Sequence, residues 1–521
     1  MLVKLPNSAL AVVMSTCLVV APEYVSASDN VIRISTSGSD ISRIDPHRAT
    51  STTDKGMVGW MFNGLVRFPP GSADPNDLEP DLAESWTVSE DGTEYVFTLR
   101  EGVHFHGDWG QLTAEDVVYS INRASNPETS SFAGAYNGIE SVEALDDHTV
   151  RIKLEFPVPG FLGLVANYHG GNIVSKRASQ ELGADFNSGP IGTGPFEFVE
   201  HVTQQFVELR AHENYFRGRP ELDGVLYSFI ASEASRELAF TSGEMDLIMG
   251  RREQRWVDAT REVPGNAVEV FWPAEFRTVH LNRTIPPLDD VRVRRAIAHA
   301  INVDDIIRFV GPDIGPRGCS VVPTGYLGED CSGWTVDFSI EKARELLTEA
   351  GHPDGITMTA VVSNIRSQLP IMEIIQAQLA DAGITMNMNV VDHPTYHELI
   401  RQNLSAVTFY GAARFPVADS YLTEFYHSDA IVGKPTAITN FSHCDVADAE
   451  IEAARRAPTE DQQLAYWAEA QRLIHEAVCA VPLFNLRQVW LRHDGVDLGY
   501  ELTGAMNLAP PIIETTTVTR P

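Results

Sequence analysis

The side chains that could do chemistry fall into three groups. Ser339-Ile340-Glu341-Lys342 has the S-x-x-K spacing of serine acyl enzymes, in which the serine attacks a carbonyl. That chemistry also needs an S-D-N-like element and a K-T-G. The only Ser-Asp-Asn starts at Ser28, beside an expected cleavage site, and K-T-G is absent. Ser339 is therefore read as a helix N-cap. There is no G-x-S-x-G, H-E-x-x-H or P-loop. Among the histidines, His393 and His397 stand four apart, which on a helix would point both the same way, as metal ligands need. Pro394 lies between them and sets His393 ahead of the helix, so the pair reads as surface or cap residues. His104 and His106 alternate on a strand end with no obvious third ligand. No metal and no cofactor is expected.

The cysteines form the third group. Setting aside Cys17, four remain: Cys319, Cys331, Cys444 and Cys479. An even count in an exported chain suggests disulfides. Three pairings are possible. Cys319–Cys331 would close a short loop containing Pro323, Gly325 and Gly328, which leaves Cys444–Cys479; four buried free thiols are the alternative. No C-x-x-C pair suggests zinc.

These residues need a scaffold, and the composition bounds it. The chain has 521 residues, enough for more than one domain. With 71 acidic against 39 basic residues the net charge is -32, which repels nucleic acid and anionic lipid. The first 28 residues read as a secretory signal. Lys4 precedes a mostly apolar Ala9–Val20, and Val25-Ser26-Ala27 supplies small residues for cleavage near Ala27 or Ser28. The protein is thus expected to be exported to the periplasm.

Alternation of apolar and polar residues predicts strands at 31–34, 93–100 and 150–154, with two more near Phe196–Val199 and Phe206–Leu209. Thr113 is placed to cap a helix beginning Ala114-Glu115-Asp116. The second half is richer in helix. Val293, Ala296, Ile297, Ala300 and Ile301 share one face, and the run from Ile340 to Ala350 is stopped by Gly351 and Pro353. Ile371 to Ala382 form the next helix, followed by Gly383 and an alternating strand from Ile384 to Val390. Leu464, Trp467, Gln471, Ile474 and Val478 mark a long helix near the end. Helix, glycine stop and strand in succession is α/β organisation.

Several stretches resemble, in order, the large solute-binding proteins of family 5, the extracytoplasmic receptors of dipeptide, oligopeptide and nickel ABC importers. They are Leu78-Glu79-Pro80-Asp81-Leu82-Ala83-Glu84-Ser85-Trp86, Asp91-Gly92-Thr93 through Leu99-Arg100, Gly102-Val103-His104-Phe105-His106 and Ile191-Gly192-Thr193-Gly194-Pro195-Phe196. Asn214-Tyr215-Phe216, Pro286-Pro287-Leu288-Asp289-Asp290-Val291-Arg292 and Glu341-Lys342-Ala343-Arg344-Glu345-Leu346-Leu347 complete the series.

The resemblance implies a two-lobed α/β periplasmic binding protein fold of the large type, with a hinge. The first lobe would combine 29–61, 191–276 and 486–521, with an inserted subdomain at 62–190; the second would run over 277–485. A small-molecule or peptide-like ligand would be enclosed between the lobes and passed to a membrane permease with cytoplasmic ATPases, by a monomeric receptor that binds no nucleic acid.

Peptide-binding relatives carry a Gly-Trp-x-x-Asp-like stretch, whose aspartate meets the peptide amino group. Here Gly411-Ala412-Ala413-Arg414 matches it, so a cation stands where an anion is expected. Leu369 and Pro370 occupy the place of the dipeptide receptors' carboxylate-binding arginine, with Arg366 just upstream. The resemblance also points to Tyr410, Thr52, Thr53 and Tyr136 as ligand contacts. Arg414 either pairs with a carboxylate or phosphate of the ligand or forms a salt bridge within the second lobe. Two functions of different class follow: a transport receptor for a small anionic or polar solute (peptide-like, opine-like or other), and a secreted hydrolase or peptidase. The missing companion motifs argue against the second.

Overall fold

The two longest strands of the computed structural model, Asn266–Leu281 and Ala480–His493, pair antiparallel over most of their length. Their ladder is irregular between Phe271 and Glu275, next to a cis Trp272–Pro273 bond. They are the second and third strands of an eight-stranded sheet. Val407–Ala412 lies outside Asn266–Leu281, while Leu247–Met249, Val31–Thr36, Gly224–Phe229, Phe206–Ala211 and Phe196–Val202 follow on the other side. The structure describes residues 30–158, 160–433, 439–457 and 459–520. The expected leader, Cys17 and the cleavage site lie outside them.

The fold is two-lobed, and each lobe has its own apolar core. One core gathers Ile32, Ile34, Trp60, Tyr227 and Trp490. The other gathers Val279, Ile297, Leu347, Ile375 and Phe409. Fully burying one such side chain contributes about 1.5–3 kcal/mol. In the second lobe, parallel strands Ile356–Ser363 and Ile384–Val391 are joined through helix Leu369–Asp381, the crossover that the helix–glycine–strand pattern predicts. A four-stranded sheet, Ala83–Val88, Glu94–Leu99, Thr149–Leu154 and Ile139–Asp146, stands apart from the main one. Its core is not closed on itself: Phe97, Phe161 and Val165 belong to one cluster with Phe276, Tyr421 and Phe441.

Local signals act as their chemistry requires. Asp116 accepts from the Thr113 N–H and hydroxyl at the start of helix Ala114–Ser125. The Ser339 hydroxyl accepts from the Lys342 N–H, so the S-x-x-K spacing here is a helix cap. Gly351 and Gly383 adopt φ of +91° and +86° just past their helices. The two cysteine pairs are Cys319–Cys331 and Cys444–Cys479, with Cα separations of 5.1 and 5.9 Å. One expectation is corrected. His393 does not precede its helix: Asp392 caps helix His393–Arg401, and Pro394 is tolerated in the first turn, where no intrahelical N–H bond is lost. His393 and His397 therefore do face each other, with Nε2 atoms 3.1 Å apart.

Candidate ligand-binding site

Helix Thr52–Met61 carries Lys55, which lies within electrostatic reach of Arg414, Glu424 and Glu275. The helix begins at Ser51, whose hydroxyl accepts from the Asp54 N–H. Asp54 in turn accepts from the Ser42 N–H and hydroxyl, which ties the first turn to the loop ahead of it. Lys55 is 8% exposed. Among the described residues its ammonium has no ion-pair or hydrogen-bond partner; it lies over the Tyr168 ring, 5.6 Å from the centroid. Burial first, and then the Arg414 charge, push its pKa down from 10.5 to about 7.

The wall beside Lys55 is a strained turn. His169 holds a φ of +51°, a conformation that costs a non-glycine residue energy and tends to persist where function needs it. Its ring is stacked between Phe132 (4.1 Å) and Tyr168 (3.6 Å). Its Nε2 is buried without a partner. Burial, Lys55 and Arg414 hold the imidazole neutral, well below its ordinary pKa. Gly170 and Gly171 make the turn possible, since a Cβ at 171 would meet the Ala166 carbonyl oxygen at 2.2 Å.

The second lobe supplies the opposite wall. Arg414 follows strand Val407–Ala412, and its Nε donates to Glu424 of helix Ala418–Tyr426. Its Nη1 donates to the Ala413 carbonyl at 3.1 Å, and its guanidinium lies over Phe425. The Tyr326 hydroxyl donates to the Arg414 carbonyl at 2.9 Å. Burial disfavours the Arg414 charge, but Glu424 more than offsets this and raises the pKa. Next to it, Phe415 reaches across to the insert. A Cβ on Gly163 would lie 1.9 Å from the Phe415 ring, and the ring sits 6.0 Å from Phe68. Glycine at 163 thus lets the two sides close onto each other.

The floor is the break in the long strands. Glu275 accepts from Arg252 at 2.6 Å and from Arg277 two residues on. Burial would raise the Glu275 pKa, yet the two guanidiniums hold it down to about 2.

The other residues named from sequence are distributed unevenly. Arg366, with its side chain 62% exposed, pairs with Glu233 (3.4 Å) and Glu253 (2.9 Å), both more than 100 residues away in the chain. Tyr410 is buried, 4.9 Å from Phe441 and 6.0 Å from His397, at a small hollow with Thr278, His280 and Tyr421. Thr52 opens the Lys55 helix, whereas Thr53 is packed against Gly38, and its carbonyl accepts from Tyr227. The Tyr136 hydroxyl donates to the Leu164 carbonyl at 2.8 Å, bracing the segment that leads to His169. Sequence reasoning missed Lys55, Tyr168, His169, Arg277 and Glu424. Lys55 did leave a trace: it is the one cation in Thr-Thr-Asp-Lys-Gly-Met-Val-Gly-Trp-Met, a helix whose other residues are mostly small or apolar.

This arrangement brings two cations, Lys55 and Arg414, together with aromatic rings and few free carboxylates. It suits a small polar solute with negative charge. Comparison with known proteins agrees with solute binding. The family model for bacterial extracellular solute-binding proteins, family 5 (middle), matches residues 77–432. The chain is similar to the solved periplasmic binding protein MoaA from A. tumefaciens R10, in complex with mannopinic acid. That similarity is 42% identity and a TM-score of 0.90, over 95% of this chain and 100% of the other. It is similar to a Helicobacter pylori periplasmic binding protein, DppA, in complex with the peptide STSA: 27% identity and a TM-score of 0.82, over 94% and 98%. Di/tripeptide-binding protein 2 of Pseudomonas aeruginosa is 28% identical, over 92% of this chain and 94% of its own.

Proposed function

The chain belongs to the bacterial extracellular solute-binding proteins of family 5, and from that premise we propose that its ligand is a small acidic solute of the opine type, gripped by Lys55 and Arg414. As a member of that family it is the solute-binding receptor of an ABC importer, capturing a small solute between two lobes and delivering it to a membrane permease.

Lys55 carries the ligand reading. A buried ammonium without a counter-ion is disfavoured, and an enclosed carboxylate removes that penalty. Arg414 stands close enough to lower the Lys55 pKa, so the two cations share one field. The neutral His169 ring adds a polar atom with no protein partner. MoaA, similar over nearly its whole length, is the mannopinic acid complex. A dipeptide fits less well. Its ammonium would meet Lys55, while Glu424 is engaged by Arg414 and Glu275 by two arginines.

Further parts of the same reading are the lobe boundaries at 29–61, 191–276 and 486–521 against 277–485, with the insert at 62–190. They also include cleavage near Ala27 or Ser28, a monomeric receptor, and the absence of catalysis. The Ser363 hydroxyl does meet His393 Nδ1 at 2.9 Å, but Ser363 is fully buried, which argues against a nucleophile.

Titration calorimetry with mannopinic acid and a dipeptide panel tests the ligand reading. The acid should bind wild type, and Lys55→Met should weaken it by at least about 100-fold, roughly 2.7 kcal/mol. Tight dipeptide binding, or an acid affinity unchanged in Lys55→Met, would overturn it.

A further inference from the structure

We propose a second ligand site in this protein: a small cavity beside helix Thr52–Met61 that takes a short primary amine, with the Glu514 carboxylate as its counter-ion. The cavity, of about 60 Å³, is formed by the second half of that helix, the segment 67–72 and the segment 505–514. Neither Lys55 nor Arg414 lines it, and no lining residue falls between 277 and 485. One water needs about 10–15 Å³ of such space, so a molecule of a few heavy atoms fits.

The charges around the cavity are one cation short. Arg67 Nε donates to Glu79 at 2.7 Å and Arg217 Nη2 to Asp81 at 3.1 Å, so each nearby guanidinium already has its carboxylate. Glu514 has no counter-ion among the described residues. The residue as a whole is half-buried, but its Oε2 is fully covered and accepts no hydrogen bond. A carboxylate oxygen withdrawn from water without a partner is costly. The segment that carries it is well fixed. The Glu221 N–H donates to the Glu514 carbonyl at 2.9 Å, the Ile513 N–H to the Thr516 hydroxyl at 3.0 Å, and the Tyr500 hydroxyl to the Pro511 carbonyl at 2.6 Å.

The other lining groups select the kind of cation. The side chains of Asn167 and Asn507 face the cavity and make no hydrogen bond among the described residues. Gly59 makes room for one of them, since a Cβ there would lie 2.4 Å from Asn507 Nδ2. One carboxylate and two amide carbonyls can accept the three N–H bonds of an ammonium group. Much of the remaining wall is carbon: Trp60, Phe68, Pro69 and Met506. Trp60 Nε1 is spent on the Pro510 carbonyl at 3.2 Å, which leaves its ring as an apolar surface. Such a wall packs against the carbons of an amine and tolerates its charge near the ring faces. A hard metal ion asks for about six or more oxygens, which this lining does not bring.

Ligand-observed NMR titration of the full chain with ethylammonium tests the site. Binding should saturate with a Kd of about 1 mM, near the best that three heavy atoms can reach. Ethanol, its neutral isostere, should show no saturable binding, and potassium at equal concentration should leave the Kd within about twofold. Glu514→Gln, which keeps the shape and removes the charge, should weaken ethylammonium at least about tenfold. Asn507→Asp, which adds a second carboxylate, should tighten it, a gain that misfolding cannot mimic. Absence of saturable binding, displacement by potassium, or an affinity unchanged in Glu514→Gln would overturn the site. None of these outcomes touches the acidic-solute reading, whose two cations lie outside the cavity.

Discussion

Two buried charge clusters in this protein look alike and differ in one respect. In the first lobe, Asp246 accepts from the Arg33 N–H, Nε and Nη2 and from Arg520 Nε and Nη2, at 2.7–3.1 Å. It is 3% exposed, and every oxygen is engaged by the protein itself. That cluster staples strand Val31–Thr36 to the far end of the chain. Lys55, 8% exposed, lies over an aromatic ring and has no ion-pair partner among the described residues. Charges whose partners are all internal hold a fold together; a charge that lacks one makes the fold incomplete until a partner arrives. The cost of the second kind is retained only where it serves binding.

If the contrast is real, breaking the closed cluster should give the largest loss of stability. Asp246→Asn leaves two arginines poorly compensated and should lower unfolding free energy by about 3–5 kcal/mol in urea titrations. Ligand affinity of the folded protein should not change. Burial would raise the Asp246 pKa, but Arg33 and Arg520 hold it below its ordinary value. Its contribution is therefore present above about pH 4 and is lost as pH falls through the depressed native value. An acid-stability profile of Asp246→Asn should be flatter than wild type in that window.

Lys55→Met should do the reverse. Unliganded stability should rise by roughly 1–4 kcal/mol, the range for replacing buried charges with apolar residues of similar volume, while acid binding collapses. The pH dependence sharpens this. Lys55 is a base whose pKa in the cleft, about 7, lies below its ordinary 10.5. Its penalty is complete below about pH 7 and fades as pH rises toward 10.5. The melting-temperature gap between variant and wild type should be widest near neutrality and narrow by about pH 10. A gap that does not vary with pH would show that the ammonium is solvated after all.

Smaller effects follow at the edges. Arg414→Ala should weaken an acidic ligand by about tenfold rather than abolish it, since Glu424 already engages one edge of the guanidinium. Arg366→Ala removes its ion pairs with Glu233 and Glu253, but at an exposed side chain. Calorimetry should register a change worth less than about 1 kcal/mol, shrinking further in high salt.

Fold and site were not equally legible. Hydrophobic alternation marked Val31–Thr36 and Thr149–Leu154, and caps and glycines marked helix Ile340–Glu349, because those signals act within a few residues. The proposed site draws on Lys55, His169 and Arg414, far apart in the chain, and no local period links them. Arg414 was visible because it breaks a pattern carried by relatives. The sequence left its role open between a ligand contact and an internal salt bridge. The tertiary structure gives it Glu424 and leaves Lys55 without an ion-pair partner among the described residues.

What the sequence determined by itself is the family and the two-lobed α/β fold, since both are written in ordered motifs. Tertiary structure alone decided which charges are satisfied. Side-chain pairing depends on distances between segments, and a shift of a few ångströms separates a salt bridge from an empty anion site. Burial then magnifies the difference, because a charge withdrawn from water must find its counter-ion in the protein or in the ligand.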